Sequence, residues 1–170
     1  SSAYGGEPSL AAALALDLSY AAGTRKLIGG QMEDISTDGD ATDPARLEYI
    51  HENKTAALVS ASLKMGVRLS GQSPGDIENA AETGQLLGLA FQLVDDILDA
   101  TALAEDLGKP TGRDKEEGKA TLVACEGLEG AVKKATFLAA EASRSLESIQ
   151  PSHRQAVLED LTTHLLQRCR

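Results

Sequence analysis

Residues 73–100 read SPGDIENAAETGQLLGLAFQLVDDILDA, and this stretch decides the fold. Ser73 followed by Pro74 is a helix start: a short polar side chain accepts from the exposed N–H groups, and proline suits the first helical position. Leu86, Leu87, Leu89, Phe91, Val94, Ile97 and Leu98 then mark the helix, from about Pro74 to Ala100, as deeply packed. Gly84 and Gly88 lie four apart on one face, which predicts a close helix–helix contact rather than a ligand site.

The same punctuation organises the rest of the chain. Asp43-Pro44 opens a long helix running to about Leu69, and Pro8 opens one through Leu10, Leu14, Leu18 and Ala22 that Gly23 stops. A segment from roughly Thr24 to Asp34 carries Gly29-Gly30. Glycine costs a helix about 1 kcal/mol relative to alanine, so another backbone is expected to approach closely there. Residues 36–40 form a polar loop, and a loop rich in glycine and charge runs from Gly108 to Gly118. Helices of about Leu128–Ile149 and Pro151–Arg168 close the chain. No segment alternates with period two long enough to make a strand, so the expected fold is all-α.

Composition narrows the function. The 170 residues hold 16 Lys+Arg against 26 Asp+Glu, a formal net charge of −10, which repels nucleic acid and anionic lipid. The hydrophobic share of 42% is enough to bury a core, and its mass is alanine and leucine rather than aromatic. The longest apolar run, Leu10–Leu16, is far short of the ~20 residues that span a bilayer. Cys125 and Cys169 make neither a disulfide framework nor a zinc site, which suits a reducing, cytoplasmic location.

The chemistry concentrates in Phe91-Gln92-Leu93-Val94-Asp95-Asp96-Ile97-Leu98-Asp99. Asp95 and Asp99 share a helix face, with Asp96 beside them. Like charges at this spacing cost a few tenths of a kcal/mol per pair, and the helix dipole opposes them near a C-terminus. Carboxylates gathered there call for a cation. Magnesium fits, because it takes one or two carboxylates, keeps waters and completes its shell with phosphate oxygens. A solvated acidic face is the plainer reading of the same residues. Lys54, Lys109 and Lys119 are point charges suited to phosphate, although each alone reads as a surface lysine.

Five motifs occur in order: Gly29-Gly30-Gln31-Met32-Glu33-Asp34; His51-Glu52-Asn53-Lys54-Thr55-Ala56-Ala57-Leu58; the aspartate stretch 91–99; Leu107-Gly108-Lys109-Pro110; and Gly118-Lys119-Ala120-Thr121. Together they resemble the C-terminal part of a trans-isoprenyl diphosphate synthase, over nearly the whole chain. The resemblance implies an all-helical bundle of the isoprenoid synthase type, usually homodimeric. It implies a magnesium-dependent head-to-tail condensation of an allylic diphosphate with isopentenyl diphosphate, giving geranylgeranyl or farnesyl diphosphate. By position, Asp95, Asp96 and Asp99 match the family's second Asp-rich motif, with Asp95 the direct magnesium ligand. Lys54, Gln92, Lys109 and Lys119 match residues that hold the allylic diphosphate. Thr55 matches a position that, with the Lys54 carbonyl, faces the developing carbocation. Lys54, Thr55 and Asp95 are thus the expected catalytic residues.

The chain departs from that pattern in one large respect. The family's first Asp-rich motif, its following arginine pair, and the Gly-Lys-x-x-Arg stretch and His that bind isopentenyl diphosphate do not occur in the 170 residues. Residues 1–170 are therefore expected to be the C-terminal portion of one helical domain, inactive alone. Two alternatives stay open: a naturally short, non-catalytic regulatory subunit, and a helical bundle whose acidic cluster has no ligand. After Lys119-Ala120-Thr121 the chain continues Leu122-Val123 where the family often has Tyr-Pro, a change of packing more than chemistry.

Overall fold

The computed structural model describes residues 7–36, 43–101 and 121–148, with positions 160, 163 and 164. Every regular element among them is helical: α1 (Pro8–Ala22), α2 (Leu27–Ile35), α3 (Pro44–Ile50), α4 (Ala57–Leu69), α5 (Pro74–Thr101) and α6 (Leu122–Ser148). The expected starts are built as the residue types require. Asp43 Oδ1 accepts from the Ala45 N–H at 3.0 Å. At α5, Ser73 Oγ accepts from the Asp76 N–H at 3.2 Å, while Asp76 Oδ2 accepts from the Ser73 N–H, also at 3.2 Å. That reciprocal pair is a capping box with aspartate in the third position.

Three boundaries differ from the sequence expectation. The helix expected from Asp43 to Leu69 is broken in the middle by a π-helical turn, His51–Ala56, between α3 and α4. α2 begins at Leu27 because Gly23 to Lys26 form a turn after α1. α6 begins six residues early: the Ala124 N–H donates to Thr121 Oγ1 at 3.2 Å, so Thr121 caps the helix. Gly127, at φ 77° and ψ 166°, kinks α6 just before Leu128, where the sequence suggested its start. The helix expected over 151–168 lies outside the described residues except at 160, 163 and 164.

α5 is the central element, packed against α4, the π turn and α6. Leu93, Val94 and Ile97 of α5 meet Leu47, Leu122, Ala131 and Ala135 in the core. On α6, Ala131, Ala135, Ala139 and Ala142 are all fully buried, and this stripe of small side chains lets α6 lie close to α5. Ser145 on α6 and Thr83 on α5 join their hydroxyls at 2.6 Å, and Thr83 Oγ1 also donates to the Asn79 carbonyl. α1 is tied to α4 by Asp17, which meets Arg68 at 2.8 Å and Lys64 at 3.6 Å. Arg46 of α3 pairs with Glu33 at 2.7 Å and donates to the Glu33 and Ser36 carbonyls, satisfying the C-terminal end of α2 with a cation. Among the described residues, no helix is long and apolar enough to cross a membrane.

Candidate active site

The site is organised by glycines. A Cβ on Gly84 would lie 2.5 Å from the Ser60 Cα, and one on Gly88 would lie 2.4 Å from the Ala56 Cα. Contacts between real carbon atoms run to about 3.5–4.0 Å, so only hydrogen fits at either position. The Gly84/Gly88 pair is therefore the helix contact that the spacing predicted. From the other side, a Cβ on Gly30 would lie 2.4 Å from the Lys54 backbone N. The π turn His51–Ala56 is thus gripped between α2 and α5 at its backbone, as the Gly29-Gly30 pair led us to expect. Gly29 serves a different contact, with the Thr24 carbonyl at 2.4 Å and the Tyr49 hydroxyl at 2.8 Å from its would-be Cβ.

Along α5 the stripe of fours continues past the glycines as Gln92 and Asp96, and both side chains reach the π turn. Thr55 Oγ1 donates to Gln92 Oε1 at 2.7 Å, and Gln92 Nε2 donates to Asp96 Oδ1 at 3.0 Å. Asp96 Oδ2 lies 3.4 Å from His51 Nε2. That approach is too poorly aligned to be a hydrogen bond, and Oδ2 is a buried oxygen with no hydrogen-bond partner. His51 and Asp96 are only 6% and 5% exposed, while Thr55 and Gln92 are half-buried. Inside the turn, Asn53 Nδ2 donates to the Tyr49 carbonyl four residues back, at 2.8 Å. One turn after Gly30, Asp34 meets Lys54 Nζ at 2.5 Å, with the lysine one-third exposed.

The three aspartates do not converge. Asp95 is exposed and Asp99 half-buried, four apart on one face of α5, whereas Asp96 is turned to Gln92 and His51. Adjacent helical residues point about 100° apart, so Asp96 can face the π turn while Asp95 does not. Among the described residues, no three His, Cys, Asp or Glu side chains gather closely enough to enclose a metal ion by themselves. This donor set fits magnesium rather than a cage-bound metal, because magnesium needs only one or two carboxylates when phosphate oxygens complete its shell.

Of the expected site residues, Thr55 and Gln92 meet between the π turn and α5, Lys54 of the same turn faces Asp34 of α2, and Asp95 and Asp99 lie further along α5. Lys109 and Lys119 lie outside the described residues. The sequence reading missed the pairing of Asp34 with Lys54 and the part played by His51. The four-residue step from Gly30 to Asp34 was the available signal for the first; the buried His51 carried none.

The polyprenyl synthetase family profile matches residues 13–161 of the chain. Among curated proteins, the chain is 40% identical over 140 residues to geranylgeranyl pyrophosphate synthase 9, chloroplastic, of Arabidopsis thaliana, covering 81% of this chain and 39% of that protein. Among solved structures, it is similar to a geranyltransferase of Helicobacter pylori complexed with magnesium and isoprenyl diphosphate. The identity is 33%, the TM-score 0.76, and the match covers 95% of this chain and 52% of that one. A geranylgeranyl pyrophosphate synthetase of Pyrococcus horikoshii, 23% identical, shares the fold with a TM-score of 0.82 over 94% of this chain and 60% of its own. The chain spans about two fifths of the length of the curated relatives it matches.

Proposed function

The chain belongs to the polyprenyl synthetase family, the short-chain trans-isoprenyl diphosphate synthases, and we propose that it forms the part of a prenyltransferase that binds and ionises an allylic diphosphate. The observation that carries this reading is the π turn that holds Thr55 against Gln92 of α5 and turns Lys54 to α2, with Asp95 and Asp99 further along α5. Ionisation breaks the allylic C–O bond; the electron pair leaves with pyrophosphate, and the carbon fragment becomes a cation. Attack by the double bond of isopentenyl diphosphate and loss of a proton then complete the chain extension.

Catalysis of that step consists mainly of stabilising separated charges. Lys54 supplies a fixed positive charge to the leaving diphosphate, joined in this reading by Lys109 and Lys119. Asp95 and Asp99 would hold magnesium, which when bound would supply a Lewis acid to the diphosphate. Thr55, turned to α5 while Lys54 faces α2, offers the dipole of its hydroxyl oxygen to the cation in this reading. Helices rich in alanine and leucine would offer such a cation walls that do not compete as nucleophiles. The magnesium and isoprenyl diphosphate in the name of the Helicobacter relative support this ligand pair, and the geranylgeranyl synthases among the relatives support a product of that length over farnesyl diphosphate. Pairing with a second copy belongs to the same proposal, supported by exposed Leu16, Leu18 and Tyr20 on α1 and Ile28, Met32 and Ile35 on α2.

Calorimetry tests the reading directly. Titrated with inorganic pyrophosphate, the chain is expected to bind in the presence of magnesium and to lose that binding with a chelator. Failure to bind under either condition, with the helical fold intact, refutes the proposal and returns the regulatory-subunit reading.

A further inference from the structure

Four side chains join in a line from the half-buried edge of the π turn to its interior: Thr55, Gln92, Asp96 and His51. We propose that Asp96 is a positioning residue, not a metal ligand, and that through Gln92 it fixes the Thr55 hydroxyl so that only oxygen lone pairs face the substrate cation. The inference deepens the prenyltransferase reading and rests on it for the identity of the cation.

The direction follows from donor and acceptor chemistry. An aspartate carboxylate has no hydrogen to donate, whereas a glutamine amide has one accepting end and one donating end. Asp96 Oδ1 accepts from Gln92 Nε2 at 3.0 Å, which turns the amide oxygen towards Thr55. A hydroxyl facing that oxygen has to donate, and Thr55 does so at 2.7 Å. Its single hydrogen is then committed inward. What it presents elsewhere is acceptor only, the polarity that stabilises a developing carbocation and supplies it with no proton.

Two observations set Asp96 in this role. Its side chain is 4% exposed, so its oxygens address protein rather than solvent and ligand. Its second oxygen, buried and without a hydrogen-bond partner, is kept beside His51 Nε2 at 3.4 Å. A buried carboxylate left in so sparse a setting is costly, and such an exception calls for a reason. Holding the amide of Gln92 in one orientation is that reason. His51 limits the carboxylate from behind, and Gly88 brings α5 near enough for the Gln92 side chain to span the gap.

The test begins with NMR of the chain carrying 15N-labelled glutamine, with the Gln92 signal assigned by its disappearance in Gln92→Met. The Nε2 hydrogens are expected to show cross-peaks to the Asp96 β-hydrogens and none to the Thr55 γ-methyl; the reverse pattern overturns the proposal without any need for a variant at Asp96. Binding is the second arm, using inorganic pyrophosphate with magnesium, alone and with an ammonium analogue of the allylic cation. Thr55→Val and Asp96→Leu are expected to weaken analogue binding about tenfold, the scale of one hydrogen bond to a charge, and to change pyrophosphate binding less than about twofold. Equal weakening of both ligands by Asp96→Leu marks it as a metal ligand and overturns the proposal. No analogue binding by the unaltered chain counts against the prenyl-transfer reading, and the cross-peaks still decide the orientation of Gln92.

Discussion

Replacing Gly88 by alanine tests whether the close contact of α5 with the π turn holds the site together. The added Cβ would stand 2.4 Å from the Ala56 Cα and 2.8 Å from its Cβ. Restoring an ordinary separation of about 3.5 Å moves backbone against backbone by about 1 Å. Neither neighbour is a flexible side chain that could turn aside, so overpacking is expected to cost about 3 kcal/mol, the upper part of its usual range. The intrinsic helix preference for alanine returns about 1 kcal/mol, which leaves a net loss of about 2 kcal/mol. The same displacement stretches the 2.7 Å bond from Thr55 to Gln92 beyond hydrogen-bonding distance. Gly66→Ala is the matched control: Gly66 also lies inside a helix, α4, with nothing within 4 Å of its would-be Cβ. It is expected to stabilise the chain by about 0.4–1 kcal/mol. Urea denaturation followed by circular dichroism gives both values from the shift in midpoint at constant slope. Equal stabilisation by the two substitutions would show that α5 does not rest on Ala56 as described, and the geometry of the site would fall with it.

Three further outcomes are expected. Asp95→Ala abolishes magnesium-dependent pyrophosphate binding by calorimetry while circular dichroism shows the helical fold retained; retained binding would remove Asp95 from the metal site. Asp34→Asn raises pyrophosphate affinity about threefold, since a negative charge beside Lys54 is withdrawn from an anion site, and weaker binding would mean that Asp34 instead positions the ammonium. The purified chain alone forms no farnesyl or geranylgeranyl diphosphate from allylic and isopentenyl diphosphates with magnesium, for want of the first Asp-rich motif; product on a chromatogram would refute that.

Much of the helical framework is legible from single residues. Asp43-Pro44 and Ser73-Pro74 mark starts because capping needs only a side chain and its own neighbours. Gly30, Gly84 and Gly88 are legible as close contacts, since a glycine inside a helix has a cost that packing must offset. The identity of the contacted backbone is not, because it depends on how distant segments fold together. The inward turn of Asp96 is hidden for the same reason. Asp95 and Asp96 are chemically identical neighbours, and only the position of His51 and Gln92 distinguishes them. The early start of α6 was within reach: Thr121 is an ordinary cap, read first as part of a loop motif. The π turn left no mark in His51-Glu52-Asn53-Lys54-Thr55-Ala56, whose residue types suit any helix.

The π turn explains how packing and chemistry share one face. Gly88 rests on Ala56, Gln92 on Thr55, and Asp96 beside His51, so Ala56, Thr55 and His51 must all point towards α5. In an α-helix, residues five apart are rotated about 140° from one another, which would turn His51 away from α5 once Ala56 was seated against Gly88. A π turn bonds each residue to the one five positions on and stacks His51 beneath Ala56. The wider turn thus allows the backbone contact at Gly88 and the polar line from Thr55 to His51 to coexist. It also places Lys54 on the side facing α2, where Gly30 meets its backbone and Asp34 its ammonium group. A regular helix could satisfy the packing of α5 or the polar line, but not both. The irregular turn therefore belongs to the chemistry of the site rather than to the stability of the fold.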